Sequence, residues 1–343
     1  MEHTSFAYYK LPDKQHYRYI GSNTPPLHIP NLSSLTDFDS GFLIAPFDEK
    51  QYPTLLITPQ TERNLSLHPT SPFESTLPIV TESNKEYQQQ FYQCKQLLEG
   101  GIVQKIVLSH QFTEDVQPPQ AYAELFTLAA STFPKCYVAL WYTPETGVWL
   151  TITPEVLLEK SDNNQWHTMA LAGTMPKGNT EWSAKNKQEQ QHVVDYIKNV
   201  LTSCTDHLTS TALKTVEAAQ LLHLRTDFYF SLCTPIGNVL EKLHPTPAVC
   251  GLPKETAHKA LLEIEQHSRK YYAGFSGPLN SSYDSTHLYV TLRCAHWNHQ
   301  HQDIHYYAGG GLLIDSQAEE EWQEIYTKKQ TAECIVKRYI STI

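Results

Sequence analysis

The sequence predicts an α+β protein in which large antiparallel sheets carry helices on their outer faces. Three observations lead there. Strand-like runs cluster together instead of alternating regularly with helices, which argues against repeated βαβ units. The helical patterns, at 85–99, near 120–132, and at 181–203, 253–267 and 318–340, are separated by groups of strand signals. The 343 residues include 40% hydrophobic and 11% aromatic side chains, enough to close a substantial core.

Taken in order, residues 21–85 are rich in Pro, Ser and Thr and give one clear strand, Gly41–Phe47. The helix over 85–99 stops at Gly100 and Gly101, since glycine readily takes the backbone conformation that ends a helix. A strand holding Lys105 follows, then the helix near 120–132 and strands at 136–142, 147–152, 155–160 and 166–171. The 181–203 helix comes next, and the one over 253–267 starts at Pro253. Strands at 271–276, 286–296 and 303–308 lead into Gly309-Gly310-Gly311, and the helix over 318–340 closes the chain. Residues 1–84 read as N-terminal strands and loops of the same domain as 85–343, because no repeat or low-complexity tract divides them.

The formal net charge of −10 argues against a general binder of nucleic acid or anionic membrane. An anionic small substrate remains compatible with it, because a pocket can be locally positive. No segment has the unbroken apolar length of a membrane span, and the first residues lack the apolar core of a signal peptide. The seven cysteines are scattered, odd in number and without a C-x-x-C pair, which suits reduced thiols and a cytoplasmic location.

The strand QKIVLSH (104–110) poses a chemical question. Ile106 and Leu108 share one face, Lys105 and Val107 the other, so both faces are apolar around a lysine. A buried ammonium is costly unless paired, and desolvation lowers its pKa. Either this is an edge strand whose lysine reaches water, or the lysine is kept inside for chemistry.

Carboxylates also fall on apolar stripes. In the 181–203 helix the stripe Val193, Ile197, Val200 extends back one turn to Glu189. In the last helix Glu321, Ile325, Lys328, Ala332, Ile335 and Tyr339 form a seam, with Glu324 one turn before Lys328. The plain reading of Glu324 and Lys328 is an exposed ion pair. The alternative is that two helices with inward glutamates grip a hard cation such as Mg²⁺. Glycines 309–311 are either a tight connection or a close backbone approach to an anion. Residues 251–256 lack P-loop spacing, and the histidines at 296, 299, 301 and 305 read as a polar hairpin tip.

Together these segments resemble the chorismate-utilising enzymes, and most closely isochorismate synthase. The resemblance rests on ordered blocks across residues 88–338, among them QKIVLSH, TPEVLL (153–158), ALAGTMPKG (170–178), SAKNKQEQQHVVDYI (183–197), HLRT (223–226), LHPTPAVCGLPKETA (243–257), RKYYAGFSG (269–277), YVTLRCA (289–295) and YAGGGLLIDSQAEEEWQEIYTK (307–328). It implies a chorismate-binding fold. It also implies Lys105 as the general base that activates water for attack at C2, and Glu155 as the general acid for the departing C4 hydroxyl. A base lysine needs a lowered pKa and an acid glutamate a raised one. The resemblance further implies Mg²⁺ on Glu189 and Glu324, with Glu321 in the same acidic cluster. Arg293, Lys328, Gly173, Thr174 and Gly309 match substrate contacts, and His244 a pocket-supporting histidine.

Several positions depart from the family pattern. Asn186 stands for an aspartate, Gln190 for a histidine, Lys270 for a glycine and His110 for an arginine. None touches the expected acid, base or metal ligands, and activity is expected. Lys105 argues against anthranilate synthase, and Leu171-Ala172-Gly173-Thr174 against aminodeoxychorismate synthase. A salicylate synthase, which goes on to eliminate pyruvate, is the catalytic alternative, and a non-catalytic chorismate-binding protein the other. A water nucleophile implies no glutaminase subunit. A monomer is the default, and menaquinone synthesis, with siderophore synthesis beside it, the expected destination.

Overall fold

The computed structural model describes residues 3–68, 84–161, 165–178, 181–218, 221–298 and 303–342. Two antiparallel sheets form its centre. The first has nine strands in the order 251–252, 105–114, 303–312, 294–298, 147–153, 137–143, 5–10, 16–22 and 61–66. The second runs 208–210, 221–230, 166–176, 156–160, 287–290, 275–279, 41–45, 54–57 and 27–29, with 214–218 also paired to 221–230. The α+β prediction therefore holds, and the N-terminal strands complete the far ends of both sheets.

Among the described residues six α-helices surround the sheets: α1 (Lys85–Glu99), α2 (Tyr122–Thr132), α3 (Ala184–Thr202), α4 (Ile236–Leu243), α5 (Lys254–Ile264) and α6 (Ala318–Thr342). Local chemistry sets their starts. The Asn84 carboxamide accepts from the amides of Glu86 (2.7 Å) and Tyr87, and the Ser183 hydroxyl accepts from that of Asn186 at 3.1 Å. The main core includes Phe42, Trp141, Trp149, Leu158, Phe275 and Tyr307. A second cluster joins the outer face of the nine-stranded sheet to α2 and α6 through Leu125, Phe126, Leu150, Ile335 and Val336.

Sequence patterning located α1, α2, α3, α5 and α6, but not α4 or the strands at 5–10, 16–22, 27–29, 54–57, 61–66, 208–210, 214–218, 221–230 and 251–252. The 286–296 signal is two strands, 287–290 and 294–298, separated at Arg293, whose φ of 48° cannot continue a strand. All seven cysteines are free thiols, and among the described residues no helix is long and apolar enough to cross a membrane. His299 and His301 lie outside the described residues. His296 stacks on Trp149, and His305 bonds to Gln111 and Thr113.

Candidate active site

The 105–114 strand is not an edge at Lys105. Gly251–Leu252 pairs along one side and the 303–312 strand along the other, so Lys105 is fully buried. Its ammonium, buried at this place, pairs with Glu189 of α3, Nζ to Oε1 at 3.0 Å. Burial by itself raises the Glu189 carboxyl, but Lys105, with Lys328 and Lys185 nearby, outweighs it and holds the group below its ordinary value.

Gly311 makes this contact possible. A Cβ there would lie 2.1 Å from Glu189 Oε1 and 2.9 Å from Lys105 Cε. The triglycine is therefore a close approach to a carboxylate.

Beside the pair opens a cavity partly exposed to solvent. Glu155, Gly173, Thr174, Glu189, Arg293, Gly309 and Lys328 all line it. Glu155 follows the end of the 147–153 strand; its amide donates to Thr153 Oγ1 and its carbonyl accepts from Val290. Burial pushes its carboxyl up to about 7, against the opposing pull of Lys105, Lys328 and Arg293. Such a group still carries its proton near neutrality.

Lys328 does not form an ordinary exposed pair. Its ammonium donates to Glu324 Oε1 at 2.7 Å and to the Gly309 carbonyl at 3.1 Å, which fixes it at the cavity wall. Arg293 is buried, with Nη2 2.8 Å from His223 Nε2. Two cations therefore face the space beside a neutral acid and a lysine–carboxylate pair, a charge pattern suited to a small dianion.

Glu321 and Glu324 do not line the cavity. They lie on α6 behind Gly310, where a Cβ would be 3.2 Å from Glu321 Oε2 and 3.9 Å from Glu324 Oε1. Burial, then the charge of Glu324, drives the Glu321 carboxyl up to about 7 despite its contact with Lys185. Glu321 Oε2 is buried without a hydrogen-bond partner. Among the described residues no three acidic, His or Cys side chains are already arranged as a metal site. Each glutamate has a lysine partner instead: Lys105 on Glu189, Lys185 on Glu321 and Lys328 on Glu324. An orphaned carboxylate oxygen and two mutually repelling carboxylates fit a hard cation at this place.

His244, expected to support the pocket, does not line the cavity: its Nε2 donates to the Pro46 carbonyl at 2.8 Å while its ring meets Phe275 edge-on. It follows α4 on a separate cleft with Phe47, Lys254 and His258.

The departures have local roles. Gln190 donates to the Ala170 carbonyl at 3.0 Å and ties α3 to the 166–176 strand. Asn186 packs under Gly173. Burial drives His110 down to about 4, a neutral ring against Phe112 and Trp322. Lys270 takes a φ of 49°, the left-handed region where a glycine is unstrained.

Sequence reasoning assigned no role to His223, Tyr272 or Tyr307, all of which line the cavity. His223 sits in the run LLHLRTDFYF (221–230), whose aromatic and apolar alternation was the available signal for a strand.

Residues 49–333 match the family model described as chorismate binding enzyme. The chain is 26% identical over 312 residues to the vibriobactin-specific isochorismate synthase of Vibrio cholerae, covering 84% of this chain and 77% of that protein. It is 30% identical over 248 residues to the isochorismate synthase MenF of Pasteurella multocida, covering 68% of this chain but 57% of that longer relative. Among solved structures, the menaquinone-specific isochorismate synthase MenF of Escherichia coli superposes with a TM-score of 0.78 at 20% identity, over 98% of this chain and 89% of that one. That likeness is one of fold.

Proposed function

The chain belongs to the chorismate-binding enzymes, and from that premise we propose that it converts chorismate to isochorismate with Mg²⁺ as cofactor. One observation carries the reading: a buried carboxyl held near pH 7, Glu155, lines one cavity with Glu189, the ion-pair partner of the buried Lys105, and with the cations Arg293 and Lys328.

In this reading Arg293 and Lys328 hold the substrate's carboxylates, and Gly173, Thr174 and Gly309 shape the wall around it. Lys105, with its amine in the neutral form, takes a proton from water as the water oxygen bonds to C2. The ring double bonds shift, the C4–O bond breaks, and Glu155 gives its proton to the departing hydroxyl, which leaves as water. Glu189 and Glu324, with Glu321 beside them, would hold the cation, which when bound neutralises the ring carboxylate. Water as nucleophile calls for no glutaminase subunit, and we propose a cytoplasmic monomer. The MenF relative supports a menaquinone destination, and the vibriobactin relative a siderophore one.

The test is incubation of the protein with chorismate, with and without Mg²⁺, beside Lys105→Ala, products separated by chromatography. Isochorismate that requires Mg²⁺ and is lost in the variant is expected. Salicylate with pyruvate would move the protein to the sister activity. Chorismate bound but recovered intact would leave a binding protein.

A further inference from the structure

We propose that His223 is a positioning residue that locks Arg293 to the backbone bulge at Gly173, in its neutral form with the proton on Nδ1. The inference rests on the proposed substrate site and adds a residue to it.

The 166–176 and 221–230 strands pair in register except between Ala172 and Thr174, where Gly173 is the extra residue, with a φ of 70°. A bulge removes one residue from the ladder and leaves its backbone groups in need of other partners. His223 stands opposite Thr174, and its Nδ1 lies 3.1 Å from the Gly173 carbonyl and 3.4 Å from Thr174 Oγ1. Its Nε2 lies 2.8 Å from Arg293 Nη2.

The partners decide the proton. A carbonyl oxygen can only accept, so Nδ1 donates to it. A guanidinium can only donate, so Nε2 must be bare. Protonation would set an N–H against the guanidinium, and burial, followed by the charges of Arg293 and Lys328, keeps the ring well below its ordinary value. Arg293 itself sits at a φ of 48° between two strands, a point where backbone pairing does not fix its side chain. His223 supplies one constraint on that side chain and couples two parts of the wall, the bulge and the guanidinium.

Substitutions can separate the two bonds. In His223→Gln the side-chain oxygen reaches the place of Nε2 and can accept from Arg293. In His223→Asn the amide reaches only the place of Nδ1, so the bulge carbonyl is satisfied and the bond to Arg293 is lost. His223→Leu removes both bonds. Because Arg293 meets a carboxylate present in substrate and transition state alike, the effect falls on binding. The glutamine variant should keep KM within about threefold of wild type, and the asparagine and leucine variants should raise it at least tenfold, with kcat changed far less.

Chorismate binding by calorimetry in EDTA gives the same ranking without turnover. Nitrogen-15 NMR of histidine-labelled wild type, assigned with the glutamine variant, should show a protonated Nδ1 and a bare Nε2 that do not titrate between pH 5.5 and 8.5. A protonated Nε2, a titrating ring, or glutamine as impaired as leucine would overturn the inference. Absent turnover with the affinity ranking intact would overturn the proposed activity and leave the role of His223 standing.

Discussion

Lys105 and Glu189 form an ion pair of 3.0 Å in which the lysine side chain is wholly buried and the carboxylate 12% exposed. The base expected from the sequence is thus held by a residue expected to bind metal, so the two roles share one charge balance. Removing either partner leaves the other charge buried, at a cost of about 3–5 kcal/mol. Lys105→Met should therefore destabilise the protein strongly, and Lys105→Met with Glu189→Gln should regain most of that loss without regaining turnover. Urea unfolding of wild type, Lys105→Met, Glu189→Gln and the double variant checks this, and strictly additive losses would show the pair to be unimportant.

Glu155 gives a test with opposite signs for stability and activity. Its folded pKa, about 7, lies above the ordinary carboxyl value. Between these values the unfolded chain loses its proton while the folded one keeps it, so stability falls as pH rises and the full penalty is present above pH 7. Glu155→Gln removes the titration and should stabilise the protein at pH 8 by up to about 3 kcal/mol, with little gain at pH 4.5. The same substitution should abolish turnover. In the wild type kcat/KM should fall above neutrality as the acid loses its proton. Thermal melts at the two pH values and a pH–rate profile measure both.

Gly311→Ala probes the triglycine directly. The added methyl would overlap Glu189 Oε1 and crowd Lys105 Cε, with no change needed in the backbone pairing to Val107. The protein should fold and lose activity by at least a hundredfold, about 2.7 kcal/mol of transition-state stabilisation. Wild-type turnover in this variant would show that the carboxylate can move aside freely.

A second charged cluster lies away from the cavity and governs stability. His167 bridges Glu159 at 2.7 Å and Asp227 at 2.8 Å, and Arg225 and Lys214 also contact Asp227. Burial opposes the charges, but the bonds from His167 and His287 carry Glu159 down to about 2. Burial likewise lowers His167, and the two carboxylates outweigh it and raise the ring. The carboxylate contribution is present above the ordinary value near 4 and is lost as pH falls towards 2. The histidine contribution is complete below its ordinary value near 6.5 and is lost as pH rises through the higher folded value. The cluster's own contribution should therefore be greatest between about pH 4.5 and 6.5, and His167→Leu should cost about 1–3 kcal/mol there by removing one bond from each carboxylate, Asp227 keeping Arg225 and Lys214 and Glu159 keeping His287. Melting curves from pH 3 to 9 would reveal a flat, unaffected variant if the bridge carries no energy.

The amino-acid sequence by itself determined the fold class, five of the six helices and the inward position of Glu189, because apolar periodicity and helix-ending residues are local signals. It also placed Lys105 on a strand with two apolar faces, which raised the choice between an edge lysine and a buried one. Only the tertiary structure decided that choice, since covering by residues 251–252 and 303–312 comes from pairings more than a hundred residues apart. The same holds for His223, whose partners Gly173 and Arg293 are 50 and 70 residues away along the chain. It holds too for His244, whose block matched the family while its side chain turned to Pro46. Periodicity reports which face of an element is buried. Which charge meets which is set by strand order and bulges, and these depend on every segment at once.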